Sequence, residues 1–486
     1  KKLFFLVSAY CVLNILFCHG QSQSEKNISI RFSGDGNSLY WVAIRDNSKR
    51  LIKFIPAREE EKGRYFAFWD GSDSKGDDAS SGVYNVYISK GIEWAIDRNF
   101  GIDGRIGLFH KQVSVDPDLP KIQTQGSIFS VFVNDIEYRD TGDALRGETS
   151  FIVSGDTLTL NPVKLSKTNT ARISYFYPCF LENPWDLAIA PDGKIFVLLR
   201  LKKMFSGAYS GLVIKLNRDG RDKDMNFGVE GEIPGIHRAH QILVVPQDNR
   251  IYIAGSEYGT YGTGSYKLDS GAYWFYIGGH KDQGRHPATT WWPTGIAIGD
   301  GNKIHIGDLK VYDRTKPMLE GYLYCGTANP YVIRPGPSLE KSAKPDFFYR
   351  TGWNTGISKM KDTGKDIVEI YSLKLPFKTI GISYDAERSL IYAGSRYPDG
   401  FVSIIYDDGK SFKEITRLND PDLVGIHTVR VFDDYLYVIE DGVSYTEDGY
   451  CAEEMNMKTW TSSGKNRISR YRVIFGKEMF LQKIKK

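Results

Sequence analysis

Asn183-Pro-Trp-Asp-Leu-Ala-Ile-Ala-Pro-Asp-Gly-Lys-Ile-Phe-Val197 places an alternating apolar strand, an Asp-Gly turn and a second apolar strand in direct succession, which is the pattern of a β-hairpin. Four looser copies follow it. They are His240-Gln-Ile-Leu-Val-Val-Pro-Gln-Asp-Asn-Arg-Ile-Tyr-Ile253, Pro293-Thr-Gly-Ile-Ala-Ile-Gly-Asp-Gly-Asn-Lys-Ile-His-Ile306, Phe377-Lys-Thr-Ile-Gly-Ile-Ser-Tyr-Asp-Ala-Glu-Arg-Ser-Leu-Ile-Tyr392 and Ile426-His-Thr-Val-Arg-Val-Phe-Asp-Asp-Tyr-Leu-Tyr-Val438. The spacings are about 55, 55, 85 and 50 residues, and hairpins at such intervals predict a β-propeller. The long interval has room for one more unit, with Tyr349-Arg-Thr-Gly-Trp-Asn354 and Ile367-Val-Glu-Ile-Tyr371 as its strand and turn material. The expected count is six or seven blades, six preferred.

Several copies continue into a third strand that ends in a turn, as in Gly211-Leu-Val-Ile-Lys-Leu-Asn-Arg-Asp-Gly220 and Gly400-Phe-Val-Ser-Ile-Ile-Tyr-Asp-Asp-Gly409. Together with Asn183-Pro-Trp-Asp-Leu-Ala-Ile189 this resembles the NHL-type propeller repeat, with a Pro before the inner strand and a third strand closing on Asp-x-x-Gly. The resemblance spans roughly 180 to 475 and implies a fold more than an activity. Between about 121 and 178, Ser127-Ile-Phe-Ser-Val-Phe-Val133 and Asp156-Thr-Leu-Thr-Leu160 alternate more weakly, and are expected to form an irregular first blade within a propeller over 121–480.

Residues 25–120 have a different character. Tyr65-Phe-Ala-Phe-Trp69 and Val83-Tyr-Asn-Val-Tyr-Ile88 alternate on either side of a polar, Gly-containing loop, as two strands of a β-sandwich would. Trp69-Asp-Gly71, Ser81-Gly-Val-Tyr84 and the exit Val113-Ser-Val-Asp-Pro-Asp-Leu-Pro120 resemble the immunoglobulin-like domain of the flagellar hook-capping protein, which also occurs in many secreted bacterial proteins. That resemblance implies an adhesive or spacer module without catalytic residues. The expected fold class is therefore all-β, an immunoglobulin-like β-sandwich followed by a six- or seven-bladed β-propeller.

Residues 1–20 read as a signal peptide. Lys1-Lys2 precedes an apolar run from Leu3 to Phe17 that is short for a membrane span, and polar Gln21-Ser-Gln-Ser24 follows Gly20. A lipid anchor at Cys18 is the competing reading, opposed by Phe17 where a small residue is required. No later stretch is long and apolar enough to span a bilayer, so the mature chain is expected in an exported compartment, periplasmic or extracellular. Cleavage leaves Cys179, Cys325 and Cys451, which admit either one disulfide and a thiol or three thiols.

The 486 residues carry 63 Lys and Arg against 59 Asp and Glu, a net charge of +4 that gives no strong attraction to nucleic acid or to a membrane surface. Thirty Tyr, 26 Phe and 9 Trp suit both strand packing and interaction surfaces. No nucleophile elbow, phosphate-binding loop, zinc-protease helix, haem-attachment motif or paired Cys-x-x-Cys is present. Alignment of the hairpins brings Trp185, Asp186, His240, Lys378 and His427 to the tunnel mouth of a propeller, where ligands commonly bind. Some relatives with NHL-type propellers, including the lyase acting on peptidyl hydroxyglycine, hold zinc there through His from separate blades, which this resemblance would assign to His240 and His427. A matching third His is absent, and a polar lining without metal is the plainer reading. Asp70, Asp73 and Asp77 around Gly76 are candidate calcium ligands, with a solvated turn as the simpler account. Trp291-Trp292 could form a sugar platform, a protein contact or part of a blade core.

No cofactor is predicted, and calcium and zinc are the ions the sequence could admit. The functional expectation is an exported, non-catalytic interaction or assembly protein, plausibly an accessory subunit of a larger exported or periplasmic enzyme complex, with other protein subunits as partners. The rivals are a hydrolase or lyase using His240, His427 and Asp186, and a carbohydrate-binding surface protein built on Trp291 and Trp292. The basic segment from Gly464 to Lys486 is expected to give a closing strand over Ile468–Phe475 and a short tail, solvated or docked on an acidic partner.

Overall fold

A computed structural model describes residues 28–124, 127–177, 181, 184–203, 209–257, 260–278, 295–307, 309–317, 319–326, 338–342, 344, 346–352, 356–396, 400–441 and 466–486. Among them there is no α-helix, and the chain is all-β, with several discrete sheets distributed between two compact units. The signal-peptide segment 1–20 lies outside the described residues.

The first unit comprises residues up to 93, with 386–389 and 475–486. One of its sheets runs in the order Ile28–Ser33, Arg64–Trp69, Arg58–Glu61, and the other Leu51–Pro56, Tyr40–Arg45, Val83–Lys90, Met479–Lys485. Alternation turns Ile30, Ala67 and Trp69 of the first sheet and Val42, Ile44 and Val86 of the second into one shared core. Trp69 is fully buried, and its indole N–H donates to the Ser72 carbonyl at 2.7 Å, so the one polar atom of the ring is satisfied inside that core. The basic C-terminal tail does not trail into solvent: Met479–Lys485 is a fourth strand, in register from Met479 opposite Ile88 to Lys485 opposite Val83.

The second unit holds the repeats. Its sheets are numbered I to VI here, in chain order. Sheet I contains Pro184–Ile189, Ile195–Lys203, Tyr209–Leu216 and the N-terminal half of the long strand Glu232–Val245. The C-terminal half of that strand leads sheet II, with Arg250–Glu257, Thr260–Lys267 and Tyr273–Ile277, so I and II form a continuous seven-stranded sheet. Sheet III is Ile296–Ile298, Lys303–Ile306, Lys310–Asp313 and Tyr322–Cys325. Sheet IV is Ser338–Lys341, Phe347–Gly352, Gly356–Asp362 and Ile367–Leu373, and it fills the long interval between hairpins. Sheet V is Ile382–Asp385, Leu390–Gly394, Phe401–Asp407 and Phe412–Asn419. Sheet VI joins Ile426–Phe432, Tyr435–Asp441 and Asn466–Phe475 to Ile92–Ile96 and the start of Arg105–Val115 from the other end of the unit.

Consecutive sheets sandwich apolar layers, and the sequence shows why. In Ile195-Phe-Val-Leu-Leu199 the odd positions Ile195, Val197 and Leu199 pack with Tyr437, Ile439 and Ile468 of sheet VI. The even positions Phe196 and Leu198 pack with Ile242, Ile251 and Ile253 of sheet II. A strand covered on both faces must be apolar at every position, which accounts for the unbroken run. Further layers lie between II and III, III and IV, and IV and V. Sheets V and VI approach so closely that a Cβ on Gly381 would stand 1.8 Å from Thr428 Oγ1, so glycine is required there by space alone. The leading strand of each sheet adjoins that of the next, and the leading strand of VI adjoins that of I, closing a cycle of six.

Residues 107–177, part of which was expected to supply an irregular first blade, extend the sheet of Asn466–Phe475 outward through Arg105–Val115. Arg105–Val115, Asn169–Tyr177, Ser127–Val133, Ile136–Asp140, Ser150–Ser154, Thr157–Leu160 and Lys121–Gln123 pair in that order, antiparallel except for one parallel pair between Ile136–Asp140 and Ser150–Ser154. Val131, Val133, Leu158, Leu160 and Ile173 face one another across these strands, and this private core explains why the segment needs no flanking sheet.

Carboxylates tie neighbouring sheets together. Asp407, ending the third strand of V, accepts from Tyr349 Oη at 2.6 Å, Lys359 Nζ at 2.7 Å and Tyr371 Oη at 2.5 Å, all three from sheet IV. Asp362, at the matching place in IV, receives Lys303 at 3.0 Å, His305 at 3.0 Å and the Tyr324 hydroxyl, all from III. Removing one such carboxylate leaves several buried donors without an acceptor, which costs more than the bonds themselves contribute. Asp407→Ala is expected to lower unfolding stability by about 3 kcal/mol and Tyr349→Phe by about 1 kcal/mol. Equal losses in chemical denaturation would refute this account.

Candidate functional site: the polar ring of leading strands

A leading strand is paired on one edge only, so its other edge presents backbone groups that need partners. The adjoining strands supply side chains to meet them. Asp186 of sheet I accepts from the Ile242 N–H of sheet II at 3.0 Å. Gln241 of II spends its whole amide on III and IV: Oε1 accepts from Ile296 N at 3.0 Å and Leu339 N at 3.3 Å, while Nε2 donates to Ile296 O at 3.2 Å and Leu339 O at 2.7 Å. Glu340 of IV accepts from Tyr384 N of V at 3.3 Å, and Ser383 of V accepts from Val431 N of VI at 3.0 Å. Arg430 of VI completes the circuit, donating to Ile382 O of V at 2.7 Å, to Leu187 O of I at 3.2 Å and to Asp186 Oδ2 at 2.9 Å.

Two carboxylates of the ring act on one guanidinium, Asp186 by direct contact and Glu340 through its charge alone. Burial works against the charge on Arg430, but Asp186 and Glu340 outweigh it and raise its pKa, so it stays protonated. Glu340 is pushed up to about 7, by burial first and by Asp186 in addition, against the opposing pull of Arg430 and the Tyr384 N–H. Burial raises Asp186 as well, against the opposing pull of Arg430 and of the Ile242 and Leu187 N–H groups.

The tunnel-mouth residues expected from the repeat alignment come together only in part. Trp185 is buried, with its ring against His427 at a centroid distance of 3.9 Å and edge-on to His240 at 6.2 Å. The two imidazoles thus meet on an indole. Asp186 lies deeper, held by Arg430 and Ile242. Lys378 precedes the leading strand of V and is half-buried, its carbonyl accepting from Arg396 N at 2.7 Å. Among the described residues no three His, Cys, Asp or Glu side chains converge as a metal ion would need. Trp291, Trp292, Cys179 and Cys451 fall outside the described residues, and Cys325 ends the last strand of sheet III. Glu340, Ser383 and Arg430 were not anticipated, although a charged Arg between Val429 and Val431 is a signal that could have flagged the last of them.

In the first unit, Asp70 Oδ1 accepts from Ser72 N at 2.9 Å and Ser72 Oγ at 2.6 Å, and Asp73 Oδ1 accepts from Lys75 N at 2.9 Å and Asp77 N at 3.0 Å. Each carboxylate closes its own local turn. The carbonyls of this loop meet ammonium groups: Lys53 donates to Asp73 O at 2.8 Å, and Lys486 donates to Gly71 O at 2.6 Å and to Ala79 O. Asp77 is exposed at the loop tip.

The raised pKa of Glu340 makes a stability prediction. An acid whose folded pKa lies above its ordinary 4.5 binds more protons when folded, so its contribution is fully present below about pH 4.5 and is lost as pH rises through about 7. Glu340→Gln keeps an acceptor for Tyr384 and removes the titration. The variant is expected to gain about 2 kcal/mol relative to the parent at pH 8 and none at pH 4. Denaturation midpoints that shift with pH identically in both proteins would contradict it.

No protein-family model matches the chain, and no curated protein matches it in sequence. Among solved structures it is similar to a structural-genomics protein of unknown function from Bacteroides thetaiotaomicron, at 10% identity over 93% of this chain and 96% of that one, with a TM-score of 0.42. It is also similar to a periplasmic gluconolactonase from Pseudomonas aeruginosa, at 14% identity over 62% and 88% and a TM-score of 0.37. The WD40 repeats of RRP9 match at 12% identity over 60% and 95%, with a TM-score of 0.40. Likeness at this level assigns neither an activity nor a partner to this chain.

Proposed function

We propose that the chain is an exported, non-catalytic interaction protein: an immunoglobulin-like module joined to a six-bladed β-propeller of the NHL type, acting as an assembly subunit of a larger exported or periplasmic complex. The observation that carries this reading is the use made of the ring. Asp186, Gln241, Glu340, Ser383 and Arg430 are engaged in capping the backbone of neighbouring sheets, which leaves recognition to the rims and outer edges. No helix among the described residues is long and apolar enough to cross a membrane. The rival reading, a hydrolase or lyase at the tunnel mouth, draws support from the His240, Trp185 and His427 cluster and from a Glu340 carboxyl that titrates near neutrality. A sugar-binding role would rest on Trp291 and Trp292.

Affinity capture of the full tagged chain from its native envelope fraction, followed by size-exclusion chromatography, separates these readings. The expected outcome is a partner protein co-eluting at fixed stoichiometry, in an amount unchanged by His427→Ala. Elution of the chain alone, together with hydrolysis of a lactone or ester panel that His427→Ala abolishes, would overturn the proposal in favour of the enzyme.

A further inference from the structure

The basic C-terminal strand of the first unit has an open edge. Met479–Lys485 pairs with Val83–Lys90 on one side and is the last strand of its sheet. Lys486 exchanges two backbone bonds with Gly82, donating at 2.9 Å and accepting at 3.3 Å, so by antiparallel alternation Ile484 and Gln482 also turn their backbone groups toward Val83–Lys90. Lys483 and Lys485 turn theirs the other way, and among the described residues no backbone group bonds to them there.

The side chains of this strand are sorted by face. Phe480, Lys483 and Lys485 stand opposite Tyr87, Asn85 and Val83, while Leu481 and Ile484 pack against the core on the other side. A bulge at Leu481 keeps Phe480 on the lysine face. Phe480 is 55% exposed and Val83 40%, and the Phe480 ring meets Tyr87 edge-on at 5.7 Å. Both lysines are exposed, roughly 7 Å apart along the strand. Neither forms a salt bridge among the described residues, because Glu478, the one acid of Phe475–Lys486, is held by Arg45 at 2.7 and 3.0 Å.

We propose that this edge is a docking site for an acidic, extended segment of a partner protein. The segment adds a fifth strand beside Met479–Lys485, exchanges main-chain bonds with Lys483 and Lys485, sets carboxylates against their ammonium groups and lays an apolar side chain on Phe480. Lysines on an open edge keep it from pairing with another copy of the same chain, since lysine would then face lysine. The same charges favour a strand of opposite sign. An anionic sugar could meet the ammonium groups, but it has no main chain to satisfy the edge. The inference deepens the interaction reading and rests on it.

The test uses the full chain and a short fluorescein-labelled peptide of alternating Glu and Val, with its Gln-Val analogue, a backbone N-methylated Glu-Val peptide and an oligogalacturonate as comparison probes. Anisotropy is expected to show saturable binding of the Glu-Val peptide that weakens about tenfold for the Gln-Val analogue, for the N-methylated peptide and for a chain carrying Lys483→Glu and Lys485→Glu together. That double variant is expected to keep the melting temperature of the parent, because neither ammonium has a salt bridge to lose, and a merely structural role for the lysines would lower it. Equal affinity for the Gln-Val peptide leaves the lysines as guards of the edge alone and overturns the proposal. Undiminished binding of the N-methylated peptide, or preference for oligogalacturonate, shows that no strand is added and overturns it equally. Envelope capture unchanged by the double variant removes the docking site and leaves the assembly role standing. Elution of the parent chain alone from the envelope fraction removes the assembly role, and this partner with it.

Discussion

The unpaired inner edges of six leading strands are the constraint on which the rest of the second unit depends. Each such strand bonds to its own sheet on one side and turns the other toward a ring into which five more strands project. A buried backbone N–H or C=O left without a partner costs roughly what one or two good hydrogen bonds gain, so a ring of bare edges would be prohibitive. The chain meets this cost with side chains from other sheets of the cycle, which is thereby fastened at its centre as well as through its apolar layers. Gln241 alone satisfies groups on two other sheets.

A second set of polar ties works farther out. Asp362 and Asp407 end the third strands of sheets IV and V, and each collects a basic side chain and at least one tyrosine from the preceding sheet. Asp248 takes Arg314 between II and III, Tyr471 of VI donates to Asp420 at the end of V, and Arg470 of VI donates to the Arg218 carbonyl at the end of sheet I. Apolar layers are non-directional and would tolerate sliding of one sheet over the next. Carboxylates met by several fixed donors do not, so they set the angle and register at which sheets stack. Sheet VI, built from both ends of the unit's chain, then prevents the cycle from opening without breaking a continuous ladder.

Much of this was legible in the sequence. The hairpins at Asn183–Val197, His240–Ile253, Pro293–Ile306, Phe377–Tyr392 and Ile426–Val438 announce themselves because alternation and turn chemistry are local properties. The sheet between them was inferred from spacing and from Tyr349–Asn354 and Ile367–Tyr371, while its leading strand Ser338–Lys341 escaped notice because four residues carry too few positions to display a period. The pairing of Met479–Lys485 with Val83–Lys90 was invisible for another reason: it joins residues about 400 positions apart, and no local pattern encodes such a partner. Within 121–178 weak alternation looks the same whether a strand joins a ring or extends a sheet outward, so the sequence did not show that these strands continue the sheet of Asn466–Phe475 through Arg105–Val115. Aligning the repeats drew attention to Trp185, Asp186, His240, Lys378 and His427. Glu340 and Arg430 were missed because one lies in the unaligned strand and the other sits beyond the aligned positions.

The lack of a repeated residue at the leading positions suggests a rim released from constraint, yet the contacts argue for the opposite. An edge that offers an N–H needs an acceptor, and Asp186, Glu340 and Ser383 stand where Ile242, Tyr384 and Val431 present one. An edge that offers carbonyls needs a donor with reach, and Arg430 serves Leu187 and Ile382 on two different sheets, with a planar fork that lysine could not reproduce. Where both kinds are open, at Ile296 and Leu339, the residue is Gln241, whose amide is donor and acceptor at once. Each junction thus selects its own side-chain chemistry. The ring fails to repeat because its gaps pose hydrogen-bonding problems of three kinds, and a residue suited to one kind would leave another unsatisfied.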